Sequence, residues 1–134
     1  MRPVVTITLG GRDYPMAPTF DAANKLEQEI GAALPVLRSL HAEHRLTMET
    51  LGQVVLLGLQ SAEVPDATYD PHEFTAEHIA KRLFEMGISG DAVRGPVTDF
   101  LDALCYTPEH LAKKRLAAAE AEAEFVAAMS SSAS

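Results

Sequence analysis

Within the first thirty residues the apolar positions change period from two to about 3.6, which predicts a strand pair followed by helices. Val5, Ile7 and Leu9 alternate with Thr6 and Thr8, the pattern of a half-buried strand rich in β-branched residues. Gly10-Gly11 supplies the positive φ angles of a tight turn. With a loop of either two or four residues, Tyr14 and Met16 return on the face of Ile7 and Leu9. Pro15 then falls on the outer face, where a missing donor marks an edge strand. A lone hairpin is marginal in water, so the elements that follow must cover its apolar face.

Thr19 is placed to cap a helix whose stripe is Phe20, Ala23, Leu26, Glu27 and Ile30, with Gly31 to end it. Phe20 and Leu26 are expected to close the hairpin onto the core. Pro35 suits the first turn of a short helix reaching His41. Thr47 caps a third helix, where Met48, Leu51, Val55 and Leu59 form a stripe widened by Val54, Leu56 and Leu57. This helix is expected to be the most buried. Glu63 to His72, with two prolines and three acidic residues, reads as a loop. Thr75 caps a helix carrying Ile79, Leu83, Phe84 and Met86, ended by Gly87. Ser89-Gly90-Asp91 opens another, with Val93, Val97, Phe100, Leu101 and Leu104 on one side. Pro96 should bend that helix or delay its start.

Thr107-Pro108-Glu109 restarts the chain as a helix reaching about Ala128. Its stripe is Ala112, Leu116, Ala119, Ala123 and Val126, with Leu111 at the edge. A seam so rich in alanine buries little, so this helix either packs loosely or awaits a partner. Leu111, Leu116, Ala119, Ala123 and Val126 are the candidate partner-binding residues, for a helix-in-groove contact or for self-association; the same seam could also pack on the chain's own core. The fold class expected is mostly α with a small N-terminal β-hairpin, an α+β arrangement. The hairpin packs on a bundle of about five to six helices, the last long and Ala-rich. Residues 1–106 form the hairpin and helical core, 107–129 a C-terminal helix able to protrude, and 130–134 (SSSAS) a disordered tail.

A chain of 134 residues, 47% apolar and 22% charged, has the size and balance of one ordinary globular domain. Its formal net charge of -8 opposes a role on nucleic acid, because phosphate binding needs clustered Lys and Arg. The one basic cluster, Lys113-Lys114-Arg115, is followed by Glu120, Glu122 and Glu124 and reads as a solvated, charge-paired face. No apolar run approaches the ~18–20 residues of a membrane span. MRPVVTITL lacks the long apolar region of a signal peptide, so a cytoplasmic protein is expected. Cys105, the single cysteine, sits in the apolar pattern FLDALCY and reads as a small buried hydrophobe.

Catalytic chemistry is not evident. His41 and His44 are three apart, but the helix should fray there and no third ligand follows at a recognised metal spacing; with His72, His78 and His110 scattered among caps and loops, all five read as surface or cap-region histidines. Gly10-Gly11 leads into a second strand, whereas a phosphate cradle opens directly into a helix. The pairs Asp99/Asp102 and Glu27/Glu29 fall on expected solvent faces, where a general acid lacks desolvation. No catalytic residue, cofactor or metal is therefore expected, and an enzyme is not the expected reading.

The order of VTITLGGRDYPMAPTF, FDAANKLEQEIG and HRLTMETLGQVVLLGLQSA resembles the tail assembly chaperones of gene transfer agents and long-tailed phages, sometimes labelled tail tube proteins. The features that carry it are Gly11-Arg12-Asp13-Tyr14, Pro18-Thr19-Phe20, Leu26-Glu27 through Gly31, and Leu46-Thr47 through Leu59, within residues 4–104. The Ala-rich extension after Tyr106 is longer than the family pattern. The resemblance implies a cytoplasmic protein of the bacterial host that binds the tape measure protein, and other tail proteins, and keeps the former soluble during tail assembly. It offers no catalytic residues. The alternatives are a structural virion protein, such as a tail tube or head–tail connector subunit, and an unrelated small helical adaptor. Tube subunits usually join through larger sheets than two short strands provide.

Overall fold

The alternating N-terminal pattern folds as strands β1 (Val5–Leu9) and β2 (Arg12–Met16) in a computed structural model that describes residues 2–62 and 70–132. Pairing of Leu9 with Arg12 fixes the loop at Gly10-Gly11, whose φ values of 59° and 80° are those of a two-residue hairpin turn. Val5 faces Met16 and Ile7 faces Tyr14, while Thr6 and Pro15 share the outer side. Ile7 and Met16 are fully buried, so the hairpin is covered on its apolar face.

Six helices follow among the described residues: α1 (Phe20–Ile30), α2 (Leu34–Ala42), α3 (Met48–Ser61), α4 (Ala76–Met86), α5 (Asp91–Cys105) and α6 (Pro108–Ser132). The fold is thus mostly helical with an N-terminal hairpin, and its last helix is the longest. Thr19, Thr47, Thr75 and Thr107 accept from the backbone N–H three residues on, at 3.1–3.2 Å, each satisfying an orphan donor. Helix α2 has no such residue of its own. Instead Glu27 of α1 reaches across, its Oε2 accepting from the Leu34 N–H at 2.9 Å. Asp70 Oδ1 accepts from the His72 N–H to open a single 3₁₀ turn, Pro71–Glu73. The loop expected from Glu63 lies, for residues 63–69, outside the described residues.

Helix α3 is the centre, with Val54, Val55 and Leu59 fully enclosed between the hairpin, α1, α4 and α5. Its end also anchors the hairpin. The Ala62 N–H turns to the Leu59 carbonyl, and the Gly58 carbonyl accepts from the Ala17 N–H at 3.0 Å. Phe100, Leu101, Val93 and Val97 of α5 complete the core. Helix α5 runs from Asp91 through Pro96, with no later start. Proline there forfeits the single bond to the Ala92 carbonyl, and the buried residues on either side hold the helix together.

Two expectations are corrected. Phe20 does not join the lid: α1 turns Ala22 and Leu26 inward and leaves Phe20 84% exposed. His41 is not a surface or fraying-end residue. It is only 3% exposed, with Nε2 2.9 Å from Thr98 Oγ1 and 3.4 Å from the Arg94 carbonyl. Arg94 Nη2 in turn donates to the His41 carbonyl at 2.8 Å, tying α2 to α5.

Candidate partner-binding surfaces

Helix α6 begins on a well-made cap and then leaves the body. At its base Tyr106 stacks with His110, ring centroids 4.7 Å apart, and Lys114 Nζ lies 4.5 Å from the Tyr106 centroid. Leu111 is buried beside α5, and from Ala112 to Met129 every residue is exposed. At about 1.5 Å per residue that exposed stretch projects roughly 27 Å. The helix runs to Ser132, beyond the Ala128 end expected and into the serine run; residues 133 and 134 lie outside the described residues.

The five candidate residues therefore divide. Leu111 belongs to the chain's own core, whereas Leu116, Ala119, Ala123 and Val126 lie on the exposed helix. Phe125 and Met129, four apart, add apolar surface on another side near the tip. A single projecting helix presents a ridge, not a groove. Of the two contacts expected of this seam, its shape suits self-association or insertion into another protein.

A groove does exist, between the start of α3 and the outer face of α4. Gly52 lets the two helices approach closely beside it: a Cβ there would stand 2.5 Å from the Ala76 carbonyl oxygen and 3.1 Å from the Ala80 Cβ. The two helices consequently touch backbone to side chain, and Met48, Ala76, Ala80 and Phe84 line an open apolar trough of about 550 Å³. Glu49, Glu77 and Lys81 edge it, and Lys81 pairs loosely with Glu77 at 3.8 Å. Phe84 is 65% exposed and Met48 44%. Sequence reasoning counted both with the apolar stripes of their helices. No local signal separated Phe84 from Leu83: adjacent helix positions point about 100° apart, yet Val54-Val55 and Phe100-Leu101 are each buried as pairs.

Among the described residues, burial shifts two titratable side chains. Burial holds the His41 imidazole below its usual pKa, with the Arg94 carbonyl opposing that shift and the Arg94 guanidinium adding to it. Burial also raises the Cys105 thiol, which leaves less thiolate to react; the side chain is half-buried. Asp102, expected on a solvent face, instead forms a hydrogen-bonded ion pair with Arg38 of α2. Among the described residues no three His, Cys, Asp or Glu side chains are placed to hold a metal ion. No helix among them is long and apolar enough to cross a membrane.

Comparison with protein-family models, with curated proteins and with solved structures gives no match. The surfaces themselves must carry the functional reading. What the chain offers is an apolar trough sized for side chains of a docking helix and a bare helix of its own.

Proposed function

We propose that this protein is a tail assembly chaperone that binds segments of a tape measure protein and keeps them soluble until the tail is built. It acts by binding, without catalysis. The observation that carries the reading is the open trough with exposed Met48 and Phe84. An extended helical client aggregates through its apolar faces until they are covered. An amphipathic client helix laid in the trough would bury such a face against Phe84, Ala80, Ala76 and Met48. The edge charges Glu49, Glu77 and Lys81 would meet the helix's polar flanks, and the overall negative charge would keep the complex in solution. The resemblance of the hairpin and first helices to the chaperone family supplies the client's identity. With two strands in its sheet, the described chain lacks the extended edges through which tube subunits join.

The test is co-expression with a tape measure protein from the genome that encodes this chain. Soluble tape measure protein, recovered in complex with this chain and lost with Phe84→Glu, is the expected result. Equal insolubility with and without the chain would overturn the reading.

A further inference from the structure

We propose that α6 pairs with α6 of a second copy of this chain, antiparallel and in one register, to form a two-fold dimer. The helix is exposed from Ala112 to Val126, and its seam residues Ala112, Leu116, Ala119, Ala123 and Val126 recur at steps of four and three, the spacing of a coiled-coil seam. The charges beside the seam choose the partner, its direction and its register. Arg115 and Glu122 lie on one flank and Lys113 and Glu120 on the other, each pair seven residues apart. When Leu116 of one helix packs against Ala119 of an antiparallel second, Ala112 meets Ala123. Arg115 then stands opposite Glu122, and Lys113 opposite Glu120.

Two-fold symmetry makes every one of these contacts twice. Leu116 facing Ala119 also sets a large side chain against a small one, so the helices can approach closely. Moving the antiparallel partner by one heptad brings Glu122 against Glu122 and Glu120 against Glu120. Parallel pairing satisfies Arg115 through Glu120 but leaves Lys113 without an acidic neighbour across the seam. In the favoured register Pro108 lies level with Ala127, so the overlap uses the helix from its root almost to its tip. The pairing uses none of the residues that line the α3–α4 trough and does not depend on the chaperone reading.

Sedimentation of the full chain should show a concentration-dependent dimer. Lys113→Glu with Arg115→Glu should weaken it by about tenfold or more, as should Glu120→Lys with Glu122→Lys. An equimolar mixture of the two double variants should pair again. Spin labels at an Ala128→Cys site, in a Cys105→Ser background, should lie about 30 Å apart in the dimer, against about 10 Å for parallel helices. Circular dichroism and urea unfolding check that each variant keeps its fold. A monomer at all concentrations, a dimer indifferent to the charge reversals, or a short label distance overturns the proposal. Client solubilisation by the charge variants, measured alongside, separates this result from that of the chaperone reading.

Discussion

Two glycines of α3 set how closely its neighbours approach. A methyl group at Gly58 would come within 2.9 Å of the Met16 Cβ and 3.0 Å of Phe100 Cζ, where hairpin and α5 converge. At Gly52 it would strike the Ala76 carbonyl. Each substitution to alanine should lower stability by about 1–3 kcal/mol in urea unfolding, despite alanine's better helix propensity. The opposite sign is expected at His44. Its φ of 59° places it in the left-handed position that ends α2, where the Arg45 N–H returns to the Leu40 carbonyl at 2.8 Å. His44→Gly should therefore stabilise the protein by about 1 kcal/mol in the same assay.

His41 predicts a pH response. Its pKa is lowered on folding, so the unfolded chain takes up the proton first. Its contribution is intact above the unfolded value near 6.5 and is lost as pH falls through the folded value. A shift of the urea midpoint to lower values between about pH 7.5 and about pH 5.5, flattened in His41→Gln, is the expected result. None of these residue effects could be read from the chain alone. Thr98, which meets His41, lies 57 residues away.

At the scale of elements, α6 behaves as two parts. Its root is core: Leu111 is 8% exposed, and Tyr106 is covered by Arg38, His110 and Lys114. Beyond Arg115 every residue through Met129 is exposed. A chain ending at Arg115 should keep the urea midpoint of the full chain at dilute concentration, while one ending at Tyr106 should lose about 1–2 kcal/mol with Leu111. The helix starts were legible because a threonine cap acts on the N–H groups three residues on, a relation written within one turn. The cap of α2 was not, because the carboxylate of Glu27 comes from the preceding helix.

For the whole molecule, the uneven distribution of covered apolar surface matters most. The core encloses Phe100, Ile7, Met16 and Leu59, while Phe84 and Met48 stay open over the trough. Met48→Lys with Phe84→Glu should leave unfolding nearly unchanged, since neither side chain is buried, yet reduce client solubilisation by about tenfold or more. Co-purification of the tape measure protein at fixed chain concentration measures that loss. Phe20 and Phe84 look alike in the sequence, each an aromatic residue among apolar helix positions, and both prove exposed. Phe84 lines the larger trough, about 550 Å³, where α4 lies against α3 at Gly52, and Phe20 lines a smaller one of about 240 Å³ beside Leu34 and Leu104.

The chain's own pattern determined the hairpin, the threonine-capped helix starts and the alanine character of the last helix, since strand alternation, turn glycines and caps act within a few residues. Tertiary structure decided which apolar side chains were covered, that His41 is buried against Arg94 and Thr98, and that α3 and α4 leave a trough while α6 leaves the body bare. Those outcomes depend on neighbours far apart in sequence. Burial is settled by which surfaces meet, and a residue's own chemistry does not specify what stands across from it.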